Sequence, residues 1–360
     1  MDEWCKRIMR LILTKRPPLP YWAQILIPFI AIVVSLCLSS IPIIYAKGDL
    51  FKSYFYLFYG ALGTRYNFLE TCVKSSPLIF TGLAVAFAFR AKFWNIGAEG
   101  QLLAGAIIAA WIGINIPEMP KFAAIALIVG AGFVAGGLWA LIPALLKTKL
   151  KVDDVVSSLL LNYVMWHIMG TLLFGPLQQP GSSWPRSPSI SELAKYPILL
   201  ARSRFHLGIV MAVVAIAIIW FINEKTVLGY RIKSVGANLK AADFGGIPTT
   251  SVIIKTAMIS GGLAALAGVG EVCAIHYHLL MDVSPGYGYS GIIIAMLGRL
   301  HPVGVGLSAF FFSMIIVGAQ TMSRMTGVPV YIADVIQGMA LLIMLIAQLF
   351  TEYEIKVISK

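Results

Sequence analysis

The sequence predicts an all-α polytopic membrane protein with about ten transmembrane helices. Three observations carry that prediction. Of 360 residues, 59% are hydrophobic and 12% are charged, and mean hydropathy is +0.84; soluble domains carry about twice that charged share. Apolar runs of roughly 20 residues, enough to cross a bilayer at about 1.5 Å per residue, recur along the chain. The short period-2 alternation that a membrane β-barrel needs is absent.

Residues 1–20 carry Lys6, Arg7, Arg10, Lys15 and Arg16, then PPLP at 17–20: an interfacial segment with a rigid break before the first span. That span, about Tyr21–Ile44, has no small-residue cleavage site and reads as a retained helix rather than a signal peptide. The polar-aromatic stretch 45–66 holds a short interfacial or partly inserted helix over Phe51–Gly63. Further spans cover Thr71–Phe89, ending at Arg90 and Lys92, then Ile96–Ile112. Phe122–Leu146 follows and stops at Lys147, Lys149 and Lys151; Val155–Phe174 comes next. Residues 175–206, rich in Pro, Ser and Gly around Trp184, form an external loop. Leu207–Phe221 and Ser251–Glu271 are spans. Between them lies the cationic, Gly-punctuated stretch Leu228–Pro248, LGYRIKSVGANLKAADFGGIP, inside a polar loop over 223–250. A short apolar piece, Gly291–Leu297, precedes spans over Val305–Met322 and Tyr331–Phe350, which close the membrane domain of residues 21–350. Residues 351–360 are a short tail.

Net charge is +12, with 28 Lys and Arg against 16 Asp and Glu. Most of the cations sit in short loops on the side of the N-terminus, as membrane orientation demands, so both termini and the 223–250 loop are expected in the cytoplasm. No basic run is interleaved with exposed aromatics on a polar background, which argues against nucleic acid. Cys5, Cys37, Cys72 and Cys273 show neither metal-ligand spacing nor a disulfide framework.

Two segments read as broken or re-entrant helices: 93–101, FWNIGAEGQ, and 285–298, PGYGYSGIIIAMLG. Each begins in glycines and runs into an apolar helix. Such backbone is tolerated at membrane depth only where protein or a wet cavity satisfies it, and a helix start there offers free N–H groups to polar ligands. Their placement in separate halves suggests an inverted repeat of about five helices.

Polar residues in these apolar surroundings are the candidate substrate path: Asn95, Glu99, Gln101, Asn162 and Trp166. Glu99 either meets substrate or caps the helix that starts beside it, where a carboxylate suits the dipole. Asn95 has the same two roles open to it. Asn162, Trp166 and Met169 recur at i, i+4 and i+7 and are expected on one face, polar and aromatic, suited to a ring-bearing solute or to bonding a neighbouring helix. Asp334 reads as a cap and Gln320 as a further polar residue beside a late span. Glu271, His276 and His278 read as a solvated rim, since their spacing matches no metal pattern. Asp153-Asp154 reads as a surface patch balanced by Lys147, Lys149 and Lys151. Gly132-x3-Gly136 is a helix-packing signal. There is no GxxxxGK[ST], HExxH or G-x-S-x-G, so neither nucleotide binding by that loop nor the matching hydrolytic chemistry is expected of this chain.

Four separated stretches resemble permease subunits of ABC transporters for simple sugars and nucleosides, within the branched-chain amino acid and ribose permease superfamily. They are FWNIGAEGQLLAG at 93–105, KVDDVVSSLLLNY at 151–163, the loop GYRIKSVGANLKAADFGGI, and GYGYSGIIIAMLGRLHPVG at 286–304. The resemblance implies a path without catalysis, binding no cofactor itself. It also implies a separate ATPase that uses ATP and Mg, a second permease subunit, identical or paralogous, and an external binding protein or lipoprotein. The setting would be the bacterial cytoplasmic membrane. It makes the central loop a coupling loop, with a short helix around Leu239–Phe244 that includes Ala241 and Ala242 and enters a groove of the ATPase. Arg231 and Lys233 would orient that helix, Gly236, Gly245 and Gly246 would allow sharp turns, and Asn238 would shape the turn. Tyr163, Trp166 and His167 depart from the family's smaller or charged residues, and the bulky run Phe89–Trp94 departs too. That aromatic weight leans toward a nucleoside. The rival reading is an ion-coupled carrier of a small polar solute, which Glu99 fits in part but for which the 228–248 loop has no use.

Overall fold

The computed structural model describes residues 10–15 and 21–358. Helices dominate: α1 Tyr21–Tyr45, α2 Leu50–Leu62, α3 Arg65–Arg90, α4 Ala98–Asn115, α5 Lys121–Leu150, α6 Asp154–Leu173 and α7 Leu207–Lys225. The second part continues with α8 Val227–Ala237, α9 Leu239–Phe244, α10 Thr249–Gly270 extended by a π-helical turn Glu271–His276, α11 Tyr287–Leu297, α12 Pro302–Thr326 and α13 Ile332–Glu352. Two short strands, β1 Arg10–Lys15 and β2 Tyr353–Ile358, pair antiparallel, so the described ends of the chain meet. The rest of the expected 1–20 segment lies outside the described residues.

Among the described residues, seven helices are long and apolar enough to cross a membrane: α3, α4, α5, α6, α7, α10 with its π turn, and α12. The other three expected crossings fall on shorter apolar stretches, Phe29–Tyr45, Tyr287–Leu297 and Ile332–Ala347. At 11 residues, α11 reaches about 16 Å, roughly half a hydrocarbon layer. The expected short helix near Phe51 is α2, capped by Asp49, whose carboxylate accepts the Lys52 N–H at 3.0 Å. It lays Ser53, Leu57, Gly60 and Ala61 inward, against α12.

The centre is built on α3 and α10, whose apolar windows are 89% and 72% buried against 28% for α6 and α7. Small residues let these helices approach closely. The expected packing signal on α5 is where α10 docks: a Cβ on Gly136 would lie 2.3 Å from the Gly261 carbonyl oxygen, and one on Gly132 would lie 2.4 Å from Val269. Packing is reciprocal, with α4 and α5 on α10, and α11 and α12 on α3. Each central helix ends in a break, and the helix that follows the break packs on the other.

Residues 175–206 contain no helix but are not a free loop. Ser187, Ile190 and Tyr196 donate backbone N–H bonds to the carbonyls of Leu279, Tyr277 and Cys273 at 2.9–3.0 Å, and Ser191 to Gly113 at 2.8 Å. Ile190, Ala194 and Tyr196 are buried beneath.

Candidate functional site

Residues 91–97 interrupt the helical path between α3 and α4, and the backbone groups buried there need partners within the protein. Side chains from three helices do this. Asn95, fully buried, donates from Nδ2 to Gln101 Oε1 and to Ser260 Oγ, each at 2.9 Å. Its Oδ1 accepts from Gln101 Nε2 at 2.9 Å and from Gly97 N at 3.1 Å. Ser158 Oγ of α6 accepts the Ile96 N–H at 3.1 Å. Asn162 Oδ1 accepts from Gly100 N at 2.8 Å, and its Nδ2 donates to the Ile96 carbonyl at 3.0 Å and to Tyr289 OH at 3.3 Å.

Glu99, in the first turn of α4, accepts the Gly288 N–H from the first turn of α11 at 2.7 Å. Two helix N-termini therefore meet at one carboxylate, which answers the positive end of both dipoles. The contact requires glycine: a Cβ on Gly288 would lie 2.3 Å from Glu99 N. The sequence left Glu99 open between cap and substrate contact, and its hydrogen bond lies within the protein.

Four of the five expected path residues, Asn95, Glu99, Gln101 and Asn162, are thus buried around one junction, each hydrogen-bonded within the protein. Trp166 is not among them. It lies at the edge of the expected face, about 40° round the helix from Asn162 and on the side away from Met165 and Met169. Asn162 turns inward with Met165 and Met169, while Trp166 stays 45% exposed with its ring edge-on to His167. Tyr163 and Tyr289 are exposed on the same side of the junction. Tyr289 escaped the sequence reading; its spacing in PGYGYSG carries no signal that separates it from buried Tyr287.

The 228–248 stretch folds as α8, then α9, the short helix expected around Leu239–Phe244. Asn238 caps α9, accepting the Ala241 N–H at 3.1 Å, as a turn-shaping residue would. Arg231, Lys233 and Ala241 are exposed. Two expectations need correction. Gly236 is no turn residue: it lies within α8, where a Cβ would meet the Arg90 carbonyl oxygen at 1.9 Å. Gly245 ends α9 at φ −75° and ψ 8°, with no left-handed turn, which belongs instead to Gly246 at φ +78°. Ala242 is buried against the body of the protein. The outward surface of α9 is instead Leu239 and Phe244, the latter 97% exposed.

Glu271 is 3% exposed rather than part of a solvated rim, because the π turn brings His276 Nε2 to 3.3 Å from its Oε2. Among the described residues no group of three His, Cys, Asp or Glu side chains could hold a metal. Asp334 lies exposed in the first turn of α13, and Gln320 is exposed on α12.

The pattern is that of a helical membrane protein with a buried polar junction between α3 and α4 and a loop helix that exposes Leu239 and Phe244. A family described as the branched-chain amino acid transport system permease component matches residues 67–345, and the chain belongs to it. Among curated relatives, a glucose ABC transporter permease protein of Haloferax volcanii is 31% identical over 96% of this chain and 94% of its own length. A guanosine ABC transporter permease protein of Bacillus subtilis is 33% identical over 90% of this chain and 93% of its own. A nucleoside ABC transporter permease protein of Lactococcus lactis subsp. cremoris is 31% identical over 87% and 88%. No solved structure matches the chain. This is a multi-pass ABC transporter permease subunit, a transport component rather than an enzyme, of a class that works with an ATPase and a substrate-binding partner.

Proposed function

We propose that the chain forms half of the path of an importer for nucleosides, with a simple sugar as the second reading. One observation carries this: Tyr163 and Trp166 stand exposed near the middle of α6, whose Asn162 donates to the hydroxyl of exposed Tyr289 of α11 at 3.3 Å. Both helices expose apolar side chains, Leu160 and Val164 on α6 and Val213, Ile218, Trp220 and Phe221 on α7, and the α6 face differs by its tyrosine hydroxyl. A tyrosine hydroxyl facing lipid tails at mid-depth forgoes its hydrogen bonds, so the α6–α11 face suits a wet path closed by a second permease chain. Flat rings there can stack on a base. The relatives named for guanosine and nucleosides favour that solute; the one named for glucose keeps the sugar reading in play.

The buried set Asn95, Glu99, Gln101 and Asn162 shapes the wall behind that face, and Trp166 lines it. The reciprocal packing of α3 with α11 and α10 with α4 supports two inverted halves meeting at broken helices. Exposed Leu239 and Phe244 enter a groove of the ATPase, steered by Arg231 and Lys233, while ATP and Mg are handled by that subunit. The paired β1 and β2 support both termini lying on one side, read as the cytoplasmic side of the cell membrane.

The test is a binding titration of the external binding partner with guanosine, adenosine, ribose and glucose, followed by uptake of the bound solute through the assembled transporter. Tight binding of nucleosides alone supports the reading. Binding of sugars alone moves the assignment to sugar.

A further inference from the structure

We infer that Asp154 and Lys147 form a positioning clamp through which movement of the α8–α9 loop reaches the break between α3 and α4. This rests on the coupling reading above. In the sequence Asp153-Asp154 reads as a surface patch balanced by Lys147, Lys149 and Lys151; Lys147 does pair with Asp154, but only Asp153 lies at the surface. Asp153 caps α6, accepting the Val156 N–H at 3.0 Å, while Asp154 is 5% exposed. Its Oδ2 receives both the Trp94 N–H and Lys147 Nζ, each at 2.6 Å. Lys147 Nζ also donates to the Lys92 carbonyl at 2.6 Å and sits 5.6 Å from the centre of the Phe93 ring. One ion pair at the α5–α6 corner therefore grips Lys92, Phe93 and Trp94. All three lie in the interrupted stretch, with Lys92 in the left-handed region at φ +53°.

On one side of that grip is the loop. Gly236 rests on the Arg90 carbonyl, Lys92 Nζ donates to the Ala237 carbonyl at 3.5 Å, and Arg90 pairs with Glu224 at 3.1 Å. On the other side, Asn95 and Ile96 are held by Ser260, Ser158 and Asn162. Contacts run unbroken from α8 through residues 90–96 to the start of α4. A cleft of about 310 Å³ between Lys147, Asp154, Leu239 and Thr249 separates the clamp from α9 itself, so force passes through α8. Without the clamp, a push on Arg90 is spent in rotating the backbone of 91–94. With it, the end of α3 and the α5–α6 corner move as one body and the displacement arrives at Asn95–Gly100. Coupling of this kind shows as a nucleotide-dependent difference at both ends of the contact chain.

Hydrogen–deuterium exchange of the full transporter, in nanodiscs with and without ATP and vanadate, supplies it. The variants are Asp154→Asn, which keeps an acceptor for Trp94, Lys147→Met, which keeps the Asp154–Trp94 bond, and Lys147→Arg as the conservative replacement. Wild type should show a nucleotide-dependent change both at 238–246, where the ATPase docks, and at 94–101. In Asp154→Asn and Lys147→Met the change at 94–101 should be lost while that at 238–246 and the rate of ATP hydrolysis persist, and Lys147→Arg should restore it. Two results overturn the clamp: an undiminished response at 94–101 in both variants, or loss of the response at 238–246 together with hydrolysis, which means ordinary structural support. A wild-type transporter with no nucleotide response at 238–246 would instead defeat the coupling reading, and the clamp with it.

Discussion

The carboxylate of Glu99, on the first turn of α4, accepts the backbone N–H of Gly288, on the first turn of α11, at 2.7 Å. Residues 189 positions apart thereby join the two breaks. Replacing Glu99 with Gln keeps an acceptor and removes the charge between two dipoles, an expected loss of about 1 kcal/mol. Glu99→Ala leaves a buried N–H bare and should cost about 1–3 kcal/mol. Gly288→Ala forces a Cβ against the Glu99 backbone and should cost at least as much. Thermal unfolding of the purified chain in one detergent checks the order: wild type, then Gln, then the two alanine variants.

Asn162 and Trp166 should separate cleanly. Asn162→Ala strips partners from Gly100 N and the Ile96 carbonyl, about 1–3 kcal/mol for each group left buried, and should lower stability and uptake together. Trp166→Ala removes an exposed ring and should leave the unfolding temperature nearly unchanged while weakening uptake. Equal stability losses in the two would place Trp166 in the packing instead.

On the coupling loop, Phe244→Glu should abolish association with the ATPase without destabilising the permease, because the ring touches almost nothing in this chain. Ala242→Arg drives a charge into the seat of α9, and Gly236→Trp displaces α8 from Arg90. Both should lower stability as well as transport. Co-purification of the ATPase, read beside thermal unfolding, distinguishes the two outcomes.

His206, just before α7, gives a pH signature. Burial, and secondarily Arg204, hold its pKa at about 4, below an ordinary value of 6.5. Its Nδ1 accepts the Gly208 N–H at 3.1 Å, a cap that protonation removes. Because the folded chain takes up this proton less readily than the unfolded one, the contribution is complete above about pH 6.5 and is lost as pH falls toward 4. The slope approaches about 1.4 kcal/mol per pH unit. His206→Asn, which can still cap, should flatten the fall in unfolding temperature between pH 7 and pH 5. An unchanged slope would remove His206 from the cause.

Much of this architecture could be read from the chain because apolar length and glycine-led breaks are local signals. The interruption at 93–97 is in that class, whereas the helix over Leu239–Phe244 is implied only by the family resemblance. What escaped depended on burial between elements distant in sequence. Asp154 looks like any charged neighbour of three lysines until Trp94 folds over it. Glu271 looks solvated until a π turn tucks it under His276. Gly236 reads as a turn residue because a glycine needed for close approach has the same letter as one needed for φ. Residues 175–206 resemble a plain loop, since backbone bonds to 273–279 leave no compositional trace.

The claim on which the rest depends is that solute movement is driven through α9 by a separate ATPase. Uptake of radiolabelled guanosine into proteoliposomes holding the complete transporter, wild type or Phe244→Glu, tests it most directly. The account predicts uptake that requires ATP hydrolysis in wild type and is absent in Phe244→Glu, with the chain inserted equally in both. Accumulation by this chain alone without ATP, or full uptake by Phe244→Glu, would contradict it.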